Sequence, residues 1–324
     1  MRGHNVGVLV ATSRGLSPTA GNDSQIDRQS GGDLVEALAR LGVPAVTLTA
    51  DESLDLTLRR TPVDACLLAA HGEAGGRGQI QAFLELRQIP FVGPSAQAAA
   101  LAYDKLRARQ ILAYHSLPVP PTLSLGGETP SATALGLLGW PCVLKPRRGS
   151  HGSGIRLLED AAAVHDAAAR QEGEFLLERA ILGREVQVVL LHGRALGAME
   201  VDRDPASPAQ IRAMTCPPAL SRSQLRGICN LAEHAGRALG IDRGATRVDI
   251  LLHPRHNEVV LEVEPLPALH RDGVVAKVAR AAGLRYEPLV AGLLRDLVEV
   301  PRAELPAPPA QLVTQAELAP ALLQ

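Results

Sequence analysis

The chain has 324 residues, a length that suits two or three domains with real apolar cores. Its 33 basic and 34 acidic side chains leave a net charge of -1, which excludes a surface built for nucleic acid or anionic membrane. Four scattered cysteines, Cys66, Cys142, Cys216 and Cys229, form no CxxC pair, against zinc and a disulfide framework and for a reducing compartment.

The start "MRGHNVGVLVATSRG" lacks the length and cleavage site of a signal peptide, and no apolar run of about 18 residues occurs, so a cytoplasmic protein with no membrane partner is expected. "NVGVLVA" is an apolar run of buried-strand type. "GGDLVEALARLG" has helical spacing ended by Gly42, and "PAVTLTA" and "DACLLAAHG" read as further buried strands. This alternation predicts a parallel sheet with its ligand edge at the strand ends, where His71 and Gly72 fall. "GQIQAFLELRQ" predicts a helix leading to "IPFVGPS", and "SAQAAALAYDKLRARQILAYHSLPVPP" reads as one long helical segment closed by prolines. "GWPCVLKPRRGSHGSGIRLLED" then gives strand, glycine loop and strand, followed by a helix in "DAAAVHDAAARQ" and two strands in "EFLLERAILGREVQVVLL". "SRSQLRGICNLAEHAGRALG" is a strong amphipathic helix, and "ATRVDILLHPRHNEVVLEVEPLP" holds two strands around a polar turn. After a last helical stretch through "YEPLVAGLLRDLVEV", the Pro- and Ala-rich tail predicts a poorly packed extension.

Three groups of residues can carry chemistry. Gly149, Gly152 and Gly154 with Ser150 and Ser153 lie between two strands, so neither the dinucleotide fingerprint nor the Walker loop applies. Such a tip folds over phosphates as an anion-binding nest or forms a plain surface turn. Lys145, Arg147 and Arg148 add positive charge beside it. Lys145 closes a buried strand and Lys105 sits in "YDKLRARQ"; each is a candidate phosphate ligand or a side chain that snorkels to solvent.

The second group is acidic. Glu262 and Glu264 alternate with Val263, so both carboxylates leave the same face of a strand and should repel. Asp249, on the neighbouring strand, is expected to converge with them, a set that suits magnesium shared with nucleotide phosphates. Arg247 faces the same side, either to stabilise developing negative charge or to pair structurally with a glutamate. Third, Glu178 and Glu185 flank an apolar linker at Ala180 and Ile181, a setting for a nucleotide base and ribose.

In this order, "DK", "LKP" with a glycine loop, "LER..LGRE", "RVD" and "LEVEPLP" resemble the ATP-grasp carboxylate-amine ligases, and within them the D-alanine–D-alanine ligase family. "HGEAGGRGQIQAFLELRQIPFVGPSAQAAALAYDK", "CPPALS" and "GATRVDILL" resemble family segments too, and the likeness runs from about residue 5 to about residue 296. It implies an α/β, three-domain ATP-grasp fold: an N-terminal parallel-sheet (pre-ATP-grasp) domain over 1–95, a central domain over 96–185, a C-terminal domain with the metal site over 186–300, and a flexible tail over 301–324.

The resemblance also implies ATP and two magnesium ions, with manganese as a substitute. Lys105, Lys145 and the loop Gly149, Ser150, Gly152, Ser153 and Gly154 would meet the phosphates, and Glu178, Ala180, Ile181 and Glu185 the adenosine. Asp249, Glu262 and Glu264 would bind metal, while Arg247, Asp23 and Ser150 would act at the reacting groups. His71, Gly72, His270 and Gly273 would line the site for small amino-acid substrates. The implied reaction has a carboxylate attack the γ-phosphate of ATP to give an acyl phosphate, which an amine then attacks. A homodimer is expected by analogy.

Departures from the family pattern cluster on the amino-acid side. Glu264 stands where the family usually has asparagine, Ala268 replaces the glycine of "LPG", and the serine expected near Gly273 is missing, with His270 and Arg271 close by. The N-terminal glutamate aligns loosely with Asp23, and "VDRDPASPAQIRAM" replaces a tyrosine- and lysine-bearing loop after Glu200. Three readings remain: a D-alanyl-D-alanine-type ligase, a ligase of a specialised pathway with another carboxylate and amine, or a nucleotide-binding relative without catalysis.

Overall fold

The computed structural model describes residues 5–11, 21–125, 130–149, 154–170, 173–204, 207–253 and 258–297. Strands and helices alternate at first: β1 (Val6–Ala11), α1 (Gly21–Arg40), β2 (Ala45–Ala50), α2 (Leu54–Arg60), β3 (Ala65–Leu68), α3 (Gly72–Gly76), α4 (Gln79–Leu86) and β4 (Phe91–Val92). The four strands pair in parallel in the order β2-β1-β3-β4. Every residue of β1 is buried, which is why that run is continuously apolar: a parallel sheet is covered on both faces.

The chain continues through α5 (Ala96–Tyr103), α6 (Lys105–Tyr114), β5 (Thr122–Leu125), α7 (Ala132–Leu138), β6 (Cys142–Pro146), β7 (Arg156–Leu158), α8 (Ala161–Arg170) and β8 (Phe175–Arg179). Strands β5-β8-β6-β7 form an antiparallel sheet whose core includes Leu135 of α7 and Val164 of α8. A third sheet, antiparallel and ordered β11-β10-β9-β12-β13, is built from β9 (Arg184–Leu191), β10 (Arg194–Asp204), β11 (Ser207–Thr215), β12 (Ala245–Leu252) and β13 (Val259–Glu264), with α9 (Arg222–Ala238) between β11 and β12. Ile228, Ala232 and Ala235 of α9 pack with Val186, Val188, Val248 and Ile250 of this sheet and with Ala108 and Leu112 of α6.

The last helices, α10 (Val274–Ala281) and α11 (Tyr286–Leu293), return to the start of the chain. Val275, Val278, Leu289 and Val290 share one core with Leu34 and Leu38 of α1 and Val6, Val8 and Val10 of β1. Leu266, in the loop after β13, packs on the opposite face of the parallel sheet with Leu9, Leu68 and Ile80. That loop therefore bridges the acidic end of β13 and the ligand edge of the first sheet. Gly75 sits at this junction because any Cβ there would fall 1.7 Å from the carbonyl oxygen of Ala70.

Several expectations change. The segment read as one helix is two, broken at Asp104, whose backbone is extended (φ -81°, ψ 95°) and whose side chain caps α6 by accepting the N–H of Arg107 at 3.2 Å. β3 ends at Leu68, and His71 is the N-cap of the short helix α3 rather than a strand residue. The stretch after Glu200 is a long hairpin, β10 and β11, where alternation is masked by charged residues. The helices α2 and α7 fall in segments to which the sequence reading assigns no element. The turn at 254–257 and the tail at 301–324 lie outside the described residues. No helix among the described residues is long and apolar enough to cross a membrane.

Candidate active site

Register builds the centre of the site. β12 and β13 pair so that Arg247 lies opposite Glu264 and Asp249 opposite Glu262, while β9 sets Gln187 beside Asp249. The period of two along each strand then puts Glu185, Gln187, Arg247, Asp249, Glu262 and Glu264 on one face. Its other face carries Val186, Val188, Val248 and Val263 into the core.

The charges on this ridge are paired. Arg247 grips Asp249 through two hydrogen bonds, Nε to Oδ1 at 2.7 Å and Nη2 to Oδ2 at 3.0 Å. Lys105 Nζ lies 3.3 Å from Oε1 of Glu262 and donates to the carbonyl oxygen of Gly149, which ties the base of the glycine loop to α6. Lys145 Nζ stands 2.6 Å from Glu178 Oε2, and Arg109 Nε donates to Oε1 of the same carboxylate at 3.1 Å. Arg109 also donates to the carbonyl oxygen of Leu261 on β13, so Glu178 joins the middle sheet to the acidic ridge. Arg203 of β10 and Gln187 both donate to Glu185, the former's Nη2 at 2.8 Å and the latter's Nε2 at 3.1 Å.

This corrects the expectation that three carboxylates converge on one point. Among the described residues no group of three or more His, Cys, Asp or Glu side chains is arranged to hold a metal. Asp249, buried, turns to Arg247, and Glu262, partly exposed, to Lys105, because a carboxylate takes the nearest cation rather than a second carboxylate. The structural pairing of Arg247 is thus with Asp249 and not with a glutamate. Arg147 and Arg148, read as charge beside the glycine loop, bind Asp104 and Glu174 instead; Arg147 holds Asp104 by two bonds, at 2.8 and 2.7 Å.

Electrostatics nonetheless set the ridge carboxylates apart from one another. Burial first, then Glu185 and Glu262, push the Asp249 carboxyl up to about 6 despite Arg247. Burial and Glu262 also raise Glu264, against Arg247 and His71. Glu262 goes the other way: Lys105, Lys145 and Arg247 overcome its burial and hold it at about 2. Burial draws the Lys145 ammonium down to about 8, although Glu178 opposes the shift. These oxygens are hard donors, a donor set that fits magnesium.

The remaining expected residues divide. Glu178 and Glu185 are buried at the two ends of the linker, Ala180 and Ile181 are half-buried, and Leu182 beside them is 74% exposed. Gly154 has φ +76° at the far end of the glycine loop, while Ser150, Gly152 and Ser153 lie outside the described residues. Asp23 belongs to α1, with its side chain outside the described residues. His71 is buried, and Gly72 follows it in a left-handed conformation, φ +64°. His270 fills the space a side chain at Gly273 would take: its Nε2 lies 3.3 Å from where that Cβ would be. Arg271 is engaged elsewhere, with Glu287 at 3.0 Å, Glu36 at 3.5 Å and the ring of Tyr286 at 4.4 Å.

Sequence reasoning passed over Arg109, Arg203 and Asp27. Arg109 follows Lys105 by four residues on α6, a spacing that shares a helix face and was a usable signal. Asp27 stands one turn after Asp23 on α1, and its Oδ1 accepts the backbone N–H of His71 at 3.0 Å. For Arg203, reaching Glu185 from the neighbouring strand β10, the sequence offers no such sign.

Antiparallel sheets that meet at a linker and enclose paired lysines and carboxylates define an ATP-grasp protein. A D-alanine–D-alanine ligase from Bacillus anthracis complexed with ATP superposes with a TM-score of 0.78 over 91% of this chain and 97% of that one, at 23% identity. Residues 127–295 match the family model described as D-ala D-ala ligase C-terminus. The D-alanine–D-alanine ligase of Geobacter sulfurreducens is 32% identical over 301 residues, 89% of this chain and 92% of the relative. That of Stutzerimonas stutzeri is 31% identical over 287 residues, 86% and 91% of the two chains. The chain belongs to the D-alanine–D-alanine ligase family.

Proposed function

We propose that this protein joins two small amino acids, D-alanine in the first instance, at the expense of ATP through an acyl phosphate. The observation that carries the reading is the in-register ridge of Arg247, Asp249, Glu262 and Glu264 closed by Lys105 and by the Lys145–Glu178–Arg109 group. Lys105 and Lys145 reach toward one space from α6 and β6 and present ammonium groups to a triphosphate. Glu178, Ala180, Ile181 and Glu185 line the linker on which the adenosine rests, and the glycines and serines between Gly149 and Gly154 would meet its phosphates.

Charge balance supports two metal ions. Five carboxylates (Glu178, Glu185, Asp249, Glu262, Glu264) face five cations (Lys105, Lys145, Arg109, Arg203, Arg247), so a triphosphate alone would add about four uncompensated negative charges. Asp249, Glu262 and Glu264 would hold magnesium, which when bound neutralises phosphate oxygens and polarises the transferred phosphoryl group. Arg247, released from Asp249, then faces the reacting carbonyl and stabilises its developing negative charge. His71 and Gly72 at the sheet edge and His270 and Gly273 beyond β13 would border the amino-acid end, and Asp23 and Ser150 would act at the reacting groups. The change from the first sheet to the second and from the second to the third supports domain limits near residues 95 and 185.

ADP release tests the reading. D-alanine, in the presence of magnesium, is expected to stimulate release over a panel of D- and L-amino acids. No stimulation by any amino acid would overturn it.

A further inference from the structure

We propose that Arg109 is a positioning residue for ATP: by taking one oxygen of Glu178 it leaves Lys145, on the other oxygen, with charge to give to a phosphate. The inference deepens the nucleotide part of the ligase reading and rests on it. Arg109 is buried on α6 together with Ala108 and Leu112, four residues after Lys105. Its Nε donates to Oε1 of Glu178 at 3.1 Å, while Lys145 Nζ meets Oε2 at 2.6 Å. Its Nη2 donates to the carbonyl oxygen of Leu261, which fixes the guanidinium against β13.

Two cations thus share one carboxylate, and all three side chains are buried. Burial raises the Glu178 carboxyl, yet Arg109 and Lys145 together bring it below its ordinary value, so it carries its full charge. One positive charge is left over. Glu262, another carboxylate that acts on Lys145, is itself taken by Lys105 at 3.3 Å. A buried cation without an anion is costly, and here the anion that offsets it arrives with the substrate. Joining the two antiparallel sheets does not call for the charge. Backbone hydrogen bonds from Val260 to Pro118 at 2.9 Å and from Arg179 to Pro121 at 3.0 Å already tie the chain after α6 to β13 and β8, and Ala108 and Leu112 pack into the core of the third sheet. An apolar side chain at position 109 would serve that packing as well. It would also leave Lys145 and Glu178 as a closed neutral pair, with no ammonium charge to spare for a phosphate.

Titration calorimetry with ATP and magnesium, alongside kinetics of ADP release, tests this on the full-length protein, comparing wild type with R109M, R109Q and R109K. R109M is expected to weaken ATP about tenfold in both Kd and KM and to leave the amino-acid KM within about twofold. R109K, which keeps the charge, is expected to stay within about threefold of wild type for ATP. An unchanged ATP affinity in R109M, an equal rise in the amino-acid KM, or an R109K as weak as R109M would each overturn the inference. Should R109M not fold, R109Q decides, since it keeps hydrogen-bond donors without the charge: an unchanged ATP affinity there sinks the idea. A wild-type protein that binds ATP but releases no ADP with any amino acid removes the ligase reading alone, and the calorimetric comparison still decides this inference; a wild type that binds no ATP overturns both.

Discussion

The ridge of β12 and β13 and the loop that follows it, residues 265–273, are adjacent in sequence but hold their polar groups by different means. On the ridge, strand register sets Arg247 against Glu264 and Asp249 against Glu262, so chemistry is fixed by backbone pairing. In the loop, nothing repeats. Arg271 is drawn out to α1 and α11 by Asp33, Glu36 and Glu287, while His270 takes up the space beside Gly273. Groups held by register keep their places when neighbours change, whereas groups held by scattered contacts can be exchanged one at a time. Apart from Glu264, which lies on the ridge itself, the departures from the family pattern fall at the amino-acid end, where the contacts are of the scattered kind.

Removing a ridge carboxylate should therefore have the largest effect of all. Glu262→Gln is expected to lower turnover about a thousandfold or more, because hard oxygen ligands and the partner of Lys105 go together. The fold should survive, as Glu262 is not part of an apolar cluster. A circular-dichroism melt close to wild type beside retained activity would take Glu262 out of the reaction and break the contrast drawn between the two regions.

Next in size is Glu178→Ala. Glu178 and its partners Lys145 and Arg109 have side chains only 3 to 6% exposed, so deletion strands two buried cations. Breaking such a group costs about 3–5 kcal/mol, which a denaturant titration measures. A loss below about 1 kcal/mol would mean that water reaches the lysine and arginine.

How far the sequence could be read follows the same line. The parallel sheet, both ridge strands, the glycine hairpin and α9 were legible because each is a periodic run with its own cap or turn; Ser221 and Gln224 even form the reciprocal capping box that starts α9. Lys145, Arg247, Asp249, Glu262 and Glu264 were legible because strand alternation alone assigns them a face. What the ridge carboxylates touch was not, since Lys105 and Arg203 arrive from other elements. The break at Asp104 was hidden because its cause is tertiary: Arg147, 43 residues on, fixes the carboxylate that caps α6. Asp27 was missed for a similar reason, its partner lying two strands away in the sequence.

A smaller effect should appear with pH. Lys145 titrates near 8 in the folded protein against its ordinary 10.5, chiefly because it is buried. A lowered folded value means that charging this lysine costs stability below about 8, a cost that disappears as pH rises from about 8 to 10.5. Binding of a triphosphate has the opposite sign, because it needs the ammonium. The kcat/KM for ATP, which reports the free enzyme, should fall about tenfold between pH 7 and about 9. Lys145→Arg, which stays charged throughout, should flatten the profile; an identical fall in that variant would assign the titration to another group.

The smallest effect separates two neighbours. His270 and Arg271 both lie near the missing side chain of Gly273, and sequence alone does not choose between them. The contacts of Arg271 are with the scaffold: it anchors the loop to α1 and α11 and stacks on Tyr286, whose hydroxyl in turn donates to the carbonyl oxygen of Leu269 at 2.6 Å. His270→Ala is expected to raise the KM for one amino acid about three- to tenfold, the loss of a single polar contact to a small substrate, with stability unchanged. Arg271→Ala should do the reverse, lowering stability by about 1 kcal/mol through half-exposed ion pairs while the amino-acid KM holds steady. Exchange of these two outcomes would place the arginine at the substrate and the histidine in the scaffold, and the loop would then have to turn over relative to α10 for both amino acids to be held.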